Sequence, residues 1–285
     1  MAFEKISEYI STETGTEGTL LIPKLIMPTL IEEVDKTLIP REMAAMVFNP
    51  TQIQGSSFTV DLESENSLNA LTNVAEGAEI PLDSLGFTTV TFTPVKYGVA
   101  VRITREMMED SQFELLQRNI RAIGKQFAEN ETNLICGVLD GAGATTAGGA
   151  SVTIANITES MFDIEDNDYN PTDFLVGNEV VQDLRNIDTF VEADKAGNTS
   201  MMNTGFIGTI YGLNVARYST NAGANCVATS AYIFDRSQAY AIAIKRDLTV
   251  ENFDLPTYDM QGAAITQRID VKMLRSNAVS KITSS

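Results

Sequence analysis

A strand pattern runs directly into an unusually long helix pattern between Val99 and Gly137. Ser111 and Glu114 have the spacing of a capping box, so they predict where the helix begins. Apolar residues then recur at helical spacing along one face: Leu116, Ile120, Ile123, Phe127 and Leu134. A helix that continues to about Leu139 would be roughly 40 Å long at the usual rise per residue. The chain is therefore expected to contain one stiff rod.

Residues 54–98, before the rod, read as a long β-hairpin with a loose tip. Its first strand alternates apolar Phe58, Val60 and Leu62 with polar residues, and the second is expected to run from Phe87 through Ile103 without a break. A two-stranded ribbon alone is marginally stable in water. The loop-like tract nevertheless contains apolar residues that need cover: Leu68, Leu71, Val74, Ile80, Leu82 and Leu85. Either the chain's own domain or a neighbouring subunit supplies that cover.

The tip of the hairpin and one face of the rod carry opposite charges. The hairpin carries carboxylates near its tip, with no Lys or Arg among them: Asp61, Glu63, Glu65, Glu76, Glu79 and Asp83, called here the tip carboxylates. One face of the rod carries Arg118, Arg121 and Lys125, called here the basic stripe. Such a stripe is either a solvated helix face or a contact surface for acidic groups, for example a neighbour's tip carboxylates.

Composition argues against most catalytic classes. The chain has no histidine, which excludes Ser-His-Asp and Cys-His catalysis within one chain and removes the commonest metal ligand. The two cysteines, Cys136 and Cys226, stand far apart and outside any CxxC motif, so they are expected to be buried free thiols. A formal net charge of −18 repels polyphosphate and disfavours sequence-specific nucleic-acid binding. An enzyme that uses carboxylate chemistry stays an alternative, which an active isolated monomer would favour.

Two local motifs do not complete a site. The Gly/Ala-rich segment 140–150 lacks Gly-Lys-Ser/Thr and follows a helix instead of preceding one, so a flexible turn is expected rather than a phosphate loop. Asp166, Asp168 and Asn170 fit the first EF-hand positions, but Pro171 and Gly177 replace the required Gly and Glu. A solvated acidic loop is favoured, and occasional binding of a cation by this loop stays an alternative. No stretch approaches the roughly 18 apolar residues of a membrane span.

The order of these parts resembles the major capsid protein of tailed bacteriophages and archaeal tailed viruses, which has the Hong Kong 97-type shell fold. The segments that carry the resemblance are KYGVAVRITREMMEDSQFELLQRNI, FLVGNEVVQDLRN, GTIYGLNVARYS, FDRSQAYAIAIKRDLTV and SNAVSKIT. The resemblance implies an α+β fold in five parts. These are an N-terminal arm (1–53), an extended loop (54–98), a peripheral domain with the spine helix (99–154), an axial domain (155–245) and C-terminal strands that return to the peripheral domain (246–285).

The same resemblance implies a structural protein without catalysis or cofactor. Copies would assemble into pentamers and hexamers of an icosahedral shell around double-stranded DNA, in the host cytoplasm, with a portal and with scaffolding or decoration proteins as further partners and no membrane. The expected contacts are the tip carboxylates, the basic stripe and the arm's apolar residues Leu25, Ile26 and Leu30. The segment 61–95 has no lysine, so the isopeptide weld of some family members is not expected. An encapsulin-type nanocompartment that encloses a cargo enzyme is the alternative.

Overall fold

The computed structural model describes residues 39–53, 55–64, 84–104, 114–187 and 206–284, with Glu106 and isolated positions between 73 and 82. The helices in this part of the chain are α1 (Ile39–Glu42), α2 (Glu114–Leu139), α3 (Ile154–Glu165) and α4 (Asn178–Asn186). The first strands are β1 (Met46–Phe48), β2 (Phe58–Glu63), β3 (Phe87–Phe92), β4 (Val95–Thr104), β5 (Ala144–Gly149) and β6 (Asp173–Val176). The later strands are β7 (Phe206–Ile210), β8 (Leu213–Arg217), β9 (Ser230–Phe234), β10 (Tyr240–Leu255), β11 (Met260–Met273) and β12 (Val279–Ser284).

The rod predicted from the sequence is helix α2. It has 26 residues and ends at Leu139, so it is about 39 Å long. Ile123 and Phe127 of the expected apolar face are buried, and Leu134 is half-buried. Ser111 of the expected cap and the side chains of Leu116 and Ile120 lie outside the described residues. No helix in the described part of the chain is long and apolar enough to cross a membrane.

Four strands form the sheet called here sheet one, in the order β1-β10-β11-β4. Strands β10 and β11 make a long antiparallel hairpin, and β4 pairs with β11 from Thr104 opposite Met260 to Val95 opposite Ile269. The middle of α2 packs on one face of this sheet, where Phe127 and Ile265 belong to the same buried cluster. The alternation of apolar residues in β4 and β11 exists because only this face is covered by the helix.

Six strands form sheet two, in the order β5-β12-β9-β6-β8-β7. One face of sheet two packs on α3 and α4, through a cluster that includes Ile157, Val180 and Phe174. Its other face joins the second half of α2 and sheet one in a second cluster, to which Leu139 and Ile242 both belong. The same rod therefore contributes to the cores of both sheets.

The predicted continuous second strand of the hairpin is wrong, because the strand breaks at Thr93 and Pro94. Strand β3 pairs with β2, whereas β4 leaves the hairpin and pairs with β11. Proline has no N–H to donate to a ladder, and the Thr93 N–H donates instead to Asp270 Oδ2 at 2.7 Å. Arg268 Nη2 donates to the Pro94 carbonyl at 3.0 Å, so the junction is held on both sides by β11.

The strands of residues 246–285 divide between the two sheets. Strand β11 lies in sheet one, but β12 pairs with β5 and β9 in sheet two. Strand β10 also crosses the boundary expected at residue 245. The Gly/Ala-rich segment expected to be a turn contains strand β5, because its backbone pairs in parallel with β12.

Candidate assembly interface

The base of the hairpin packs against the chain's own body. Antiparallel pairing puts Phe58 opposite Phe92 and Val60 opposite Val90. The Phe58 and Phe92 rings stack with their centroids 5.0 Å apart, and Phe48 contacts both rings edge-on. Phe92 is completely buried in a cluster that includes Ala241 and Ala243 of β10. This end of the ribbon therefore needs no partner.

The outer face of the ribbon and the described part of its tip lack this cover. An odd number of positions separates Phe87 from Phe92, so the two rings lie on opposite faces of β3. Phe87 is 68% exposed, and Leu82 is 96% exposed. Ile80 and Leu85 are also exposed, and Val74 is half-buried. Leu68 and Leu71 of the predicted apolar set lie outside the described residues. Several large exposed apolar residues within one short segment are typical of a surface that another molecule covers.

Four of the tip carboxylates lie in the described part of the ribbon and its tip. Asp61 and Glu63 lie on the exposed face of β2, where Glu63 stands opposite Phe87. Glu76 and Glu79 are exposed as well. Glu65 and Asp83 lie outside the described residues. The described part of the tip therefore combines apolar side chains with negative charge.

The basic stripe is only partly described. Arg121 and Lys125 are exposed on α2, and Lys125 Nζ lies 3.5 Å from Glu129 Oε1 one turn further along the helix. The side chain of Arg118 lies outside the described residues, as do Leu25, Ile26 and Leu30 of the arm. Among the described residues, no tip carboxylate pairs with Arg121 or Lys125 within the same chain.

Sequence reasoning missed a second basic surface, on the face of sheet one opposite α2. The strand register puts Lys96 of β4 opposite Arg268 of β11, and Arg268 opposite Arg246 of β10. Lys96 and Arg246 are exposed, and these three residues are called here the cation row. The alignment of these residues depends on pairing between strands far apart in sequence, so no local pattern indicates it.

A partly buried ion pair holds the segment before β1 on the rod. Arg41 donates from Nε to Glu131 Oε1 at 2.6 Å and from Nη2 to Glu131 Oε2 at 2.5 Å. Glu131 is only 1% exposed. The Tyr240 hydroxyl donates to the Pro40 carbonyl, and Arg236 donates to the Glu42 carbonyl. The root of the expected arm is thus fixed to α2 and β10, which no local pattern indicated.

Nothing in the described residues resembles a catalytic centre. They contain no cluster of three or more His, Cys, Asp or Glu side chains that could hold a metal ion. Cys136 and Cys226 are buried free thiols, as expected. Asp166, Asp168 and Asn170 of the acidic loop are exposed. Asp173 at the start of β6 is buried, and burial raises the pKa of its carboxyl group.

Comparisons with known proteins agree with this arrangement. Residues 18–284 match the family model described as the phage capsid family. A solved chain from Microbacterium phage Oxtober96 is 17% identical, with a TM-score of 0.62 over 84% of this chain and 89% of that chain. A chain of the capsid of a native GTA particle is 15% identical, with a TM-score of 0.65 over 88% of this chain and 90% of that one.

A third solved structure, the capsid of cyanophage P-SCSP1u, is 13% identical, with a TM-score of 0.63 over 85% of this chain and 86% of that chain. At such low identity these likenesses bear on the fold alone. No curated protein matches the chain.

Proposed function

Because this chain belongs to the phage capsid family, we propose that its copies assemble into pentamers and hexamers that close into an icosahedral shell around double-stranded DNA. The protein is a structural, non-enzymatic capsid component of the virion, with the Hong Kong 97-type α+β fold predicted from the sequence. Assembly in the host cytoplasm and contacts with a portal, scaffolding or decoration proteins belong to the proposal.

Each part of the fold corresponds to one part of the proposed shell subunit. Sheet one with α2 forms the peripheral domain, and sheet two with α3 and α4 forms the axial domain. Strand β12 then belongs to the axial domain, because its ladder partners are β5 and β9. The β2–β3 ribbon forms the extended loop, and residues 1–53 form the arm, whose root is fixed by the pair Arg41–Glu131.

The observation that carries the proposal is the exposure of large apolar side chains on the outer face of the ribbon and at its tip. Phe87, on the face of β3 opposite to that of the buried Phe92, is 68% exposed, and Leu82 of the tip is 96% exposed. Burial of a large apolar side chain contributes about 1.5–3 kcal/mol, and an isolated chain does not gain this free energy at the tip. A second copy that covers the tip recovers this free energy, and a closed shell repeats the contact at every subunit.

The charges around the tip would set where it docks. The tip carboxylates face one of two basic surfaces on a neighbouring copy, the basic stripe of α2 or the cation row of sheet one. Complementary charge adds specificity and register more than affinity. The chain as a whole is strongly acidic, at a net charge of −18, which suits an inner wall that does not hold packaged DNA.

Electron microscopy of the purified chain, alone and with candidate scaffolding proteins, tests this function. Closed shells are expected as the protein concentration rises. Analysis of the particle contents then separates a genome container, which holds nucleic acid, from the encapsulin-type alternative, which holds an enzyme. A chain that stays monomeric at high concentration under all these conditions would overturn the proposal.

A further inference from the structure

The two cysteines, 90 positions apart in the chain, meet in the core. Cys136 lies in the last turn of α2, and Cys226 lies in the loop 218–229 between β8 and β9. Their exposed fractions are 0% and 3%, and both belong to the buried cluster between α2 and the two sheets. A surface loop thus places one thiol directly against the rod.

Contacts on both sides of the thiols fix this loop on the helix. The Asn225 backbone N–H donates to Asn133 Oδ1 at 3.0 Å, and Asn225 Nδ2 donates to the Asn133 carbonyl at 3.3 Å. The approach is so close that a Cβ atom at Gly137 would lie 2.5 Å from Asn225 Nδ2. A glycine next to Cys136 therefore allows the loop to reach the helix.

The two thiols differ in acidity because they interact. The Cys136 thiol donates a hydrogen bond to the Cys226 sulfur, which, together with burial, raises the pKa of Cys136. The same hydrogen bond lowers the pKa of Cys226. Cys226 also lies in a loop whose neighbouring residue Val227 is exposed, so local opening brings an oxidant to it first. The attacking thiolate is therefore Cys226.

We propose that Cys136 and Cys226 are an intrachain disulfide site that closes on exposure to a low-molecular-weight disulfide such as oxidised glutathione. The Cys226 thiolate attacks one sulfur of the oxidant, forms a mixed disulfide and releases one glutathione thiolate. Cys136 then loses its proton, attacks the Cys226 sulfur and releases the second glutathione. Two protein thiols are oxidised, one glutathione disulfide is reduced, and the two protons end on the glutathione thiols.

The bond would join the rod to the edge of the core of sheet two. It closes a loop of about 90 residues, which strongly restricts the unfolded chain. This inference goes beyond the proposed function and does not depend on shell assembly, so the failure of one is distinguishable from the failure of the other.

Peptide mass spectrometry under non-reducing conditions tests the site on the full-length chain. After incubation of the reduced protein with oxidised glutathione, trypsin should yield a linked pair of peptides, residues 126–185 and 218–236, each with one cysteine. Both thiols should disappear in an assay on the denatured protein, and Tm should rise by about 5–10 °C. Dithiothreitol should reverse all three changes.

The variants Cys136→Ser and Cys226→Ser should show no rise in Tm with the oxidant. Persistent free thiols in the wild-type chain, stable glutathione adducts on either cysteine, or a bond between two chains would each overturn the proposal. The wild-type measurement stands even if one variant folds poorly.

Discussion

Phe87 and Phe92 lie on the same strand, and their replacement by serine separates assembly from folding. Phe87 is 68% exposed and Phe92 is buried. A fully buried Phe removes about 150–250 Å² from water, so covering the exposed part of Phe87 is worth ~3 kcal/mol at about 25 cal/mol per Å². Phe87→Ser should therefore weaken each contact between subunits by about 3 kcal/mol, a factor of about 100 in affinity.

The apparent critical concentration for assembly, measured by light scattering and checked by electron microscopy, should rise by at least this factor of about 100. The free energy of unfolding of the isolated chain should change by less than about 0.5 kcal/mol, because Phe87 contributes little to its own core. Phe92→Ser should instead destabilise the chain by about 3–5 kcal/mol.

Phe162→Ser is the matched control, since Phe162 on α3 is similarly exposed but lies outside the ribbon. It should leave the critical concentration unchanged. If Phe87→Ser assembles like the wild type, the tip is not covered by a second copy and the proposed role of the ribbon is refuted.

Three further predictions follow from charged residues. The double variant Arg118→Glu with Arg121→Glu should impair assembly if the basic stripe receives the tip carboxylates, and normal shells by electron microscopy would exclude the stripe as the receptor. Arg41→Ala leaves Glu131 buried without its cation, so guanidinium unfolding should show a loss of about 3–5 kcal/mol, whereas an unchanged midpoint would contradict an anchored arm root. Burial raises the pKa of Asp173, so the folded state favours its protonated form. Wild-type Tm should therefore improve relative to Asp173→Asn as pH falls from 7 toward 4, and a difference independent of pH would disprove this.

The two candidate receptors for the tip can be separated by a matched pair of variants. Lys96→Glu with Arg246→Glu reverses the exposed ends of the cation row and leaves the basic stripe intact. Assembly that survives one double variant and fails in the other identifies the surface used. Restoration by Glu76→Lys with Glu79→Lys would identify the partner charges directly.

Local periodicity was sufficient to predict α2 but not the path of the chain around it. The end of α2 at Leu139 could be predicted, because the apolar spacing of the helix and the Gly/Ala-rich segment after it are both local signals. The apolar alternation shifts by one position across Pro94, because Val90 and Phe92 differ in parity from Val95. This shift marks an irregularity, but it does not indicate that the ladder partner changes there. That change depends on Asp270 and Arg268, which are more than 170 positions away.

In the candidate interface too, features of a single segment could be predicted and features that depend on strand pairing could not. The apolar and acidic character of the tip could be predicted because it is a property of one segment, whereas its exposure in the single chain could not. The cation row could not, because Lys96, Arg268 and Arg246 are aligned only by the register of three strands. The pair Arg41–Glu131 spans 90 positions and leaves no periodic trace in either segment.

The junction at Thr93 and Pro94 has a mechanical consequence. Only Thr93 and Pro94 separate β3 from β4, and both residues are hydrogen-bonded to β11, so the ribbon cannot rotate freely at this junction. A force on the end of the ribbon would act on β11 and then on α2, which would transmit it to sheet two. Tension between neighbouring copies would therefore be shared by the whole subunit instead of being absorbed at a hinge.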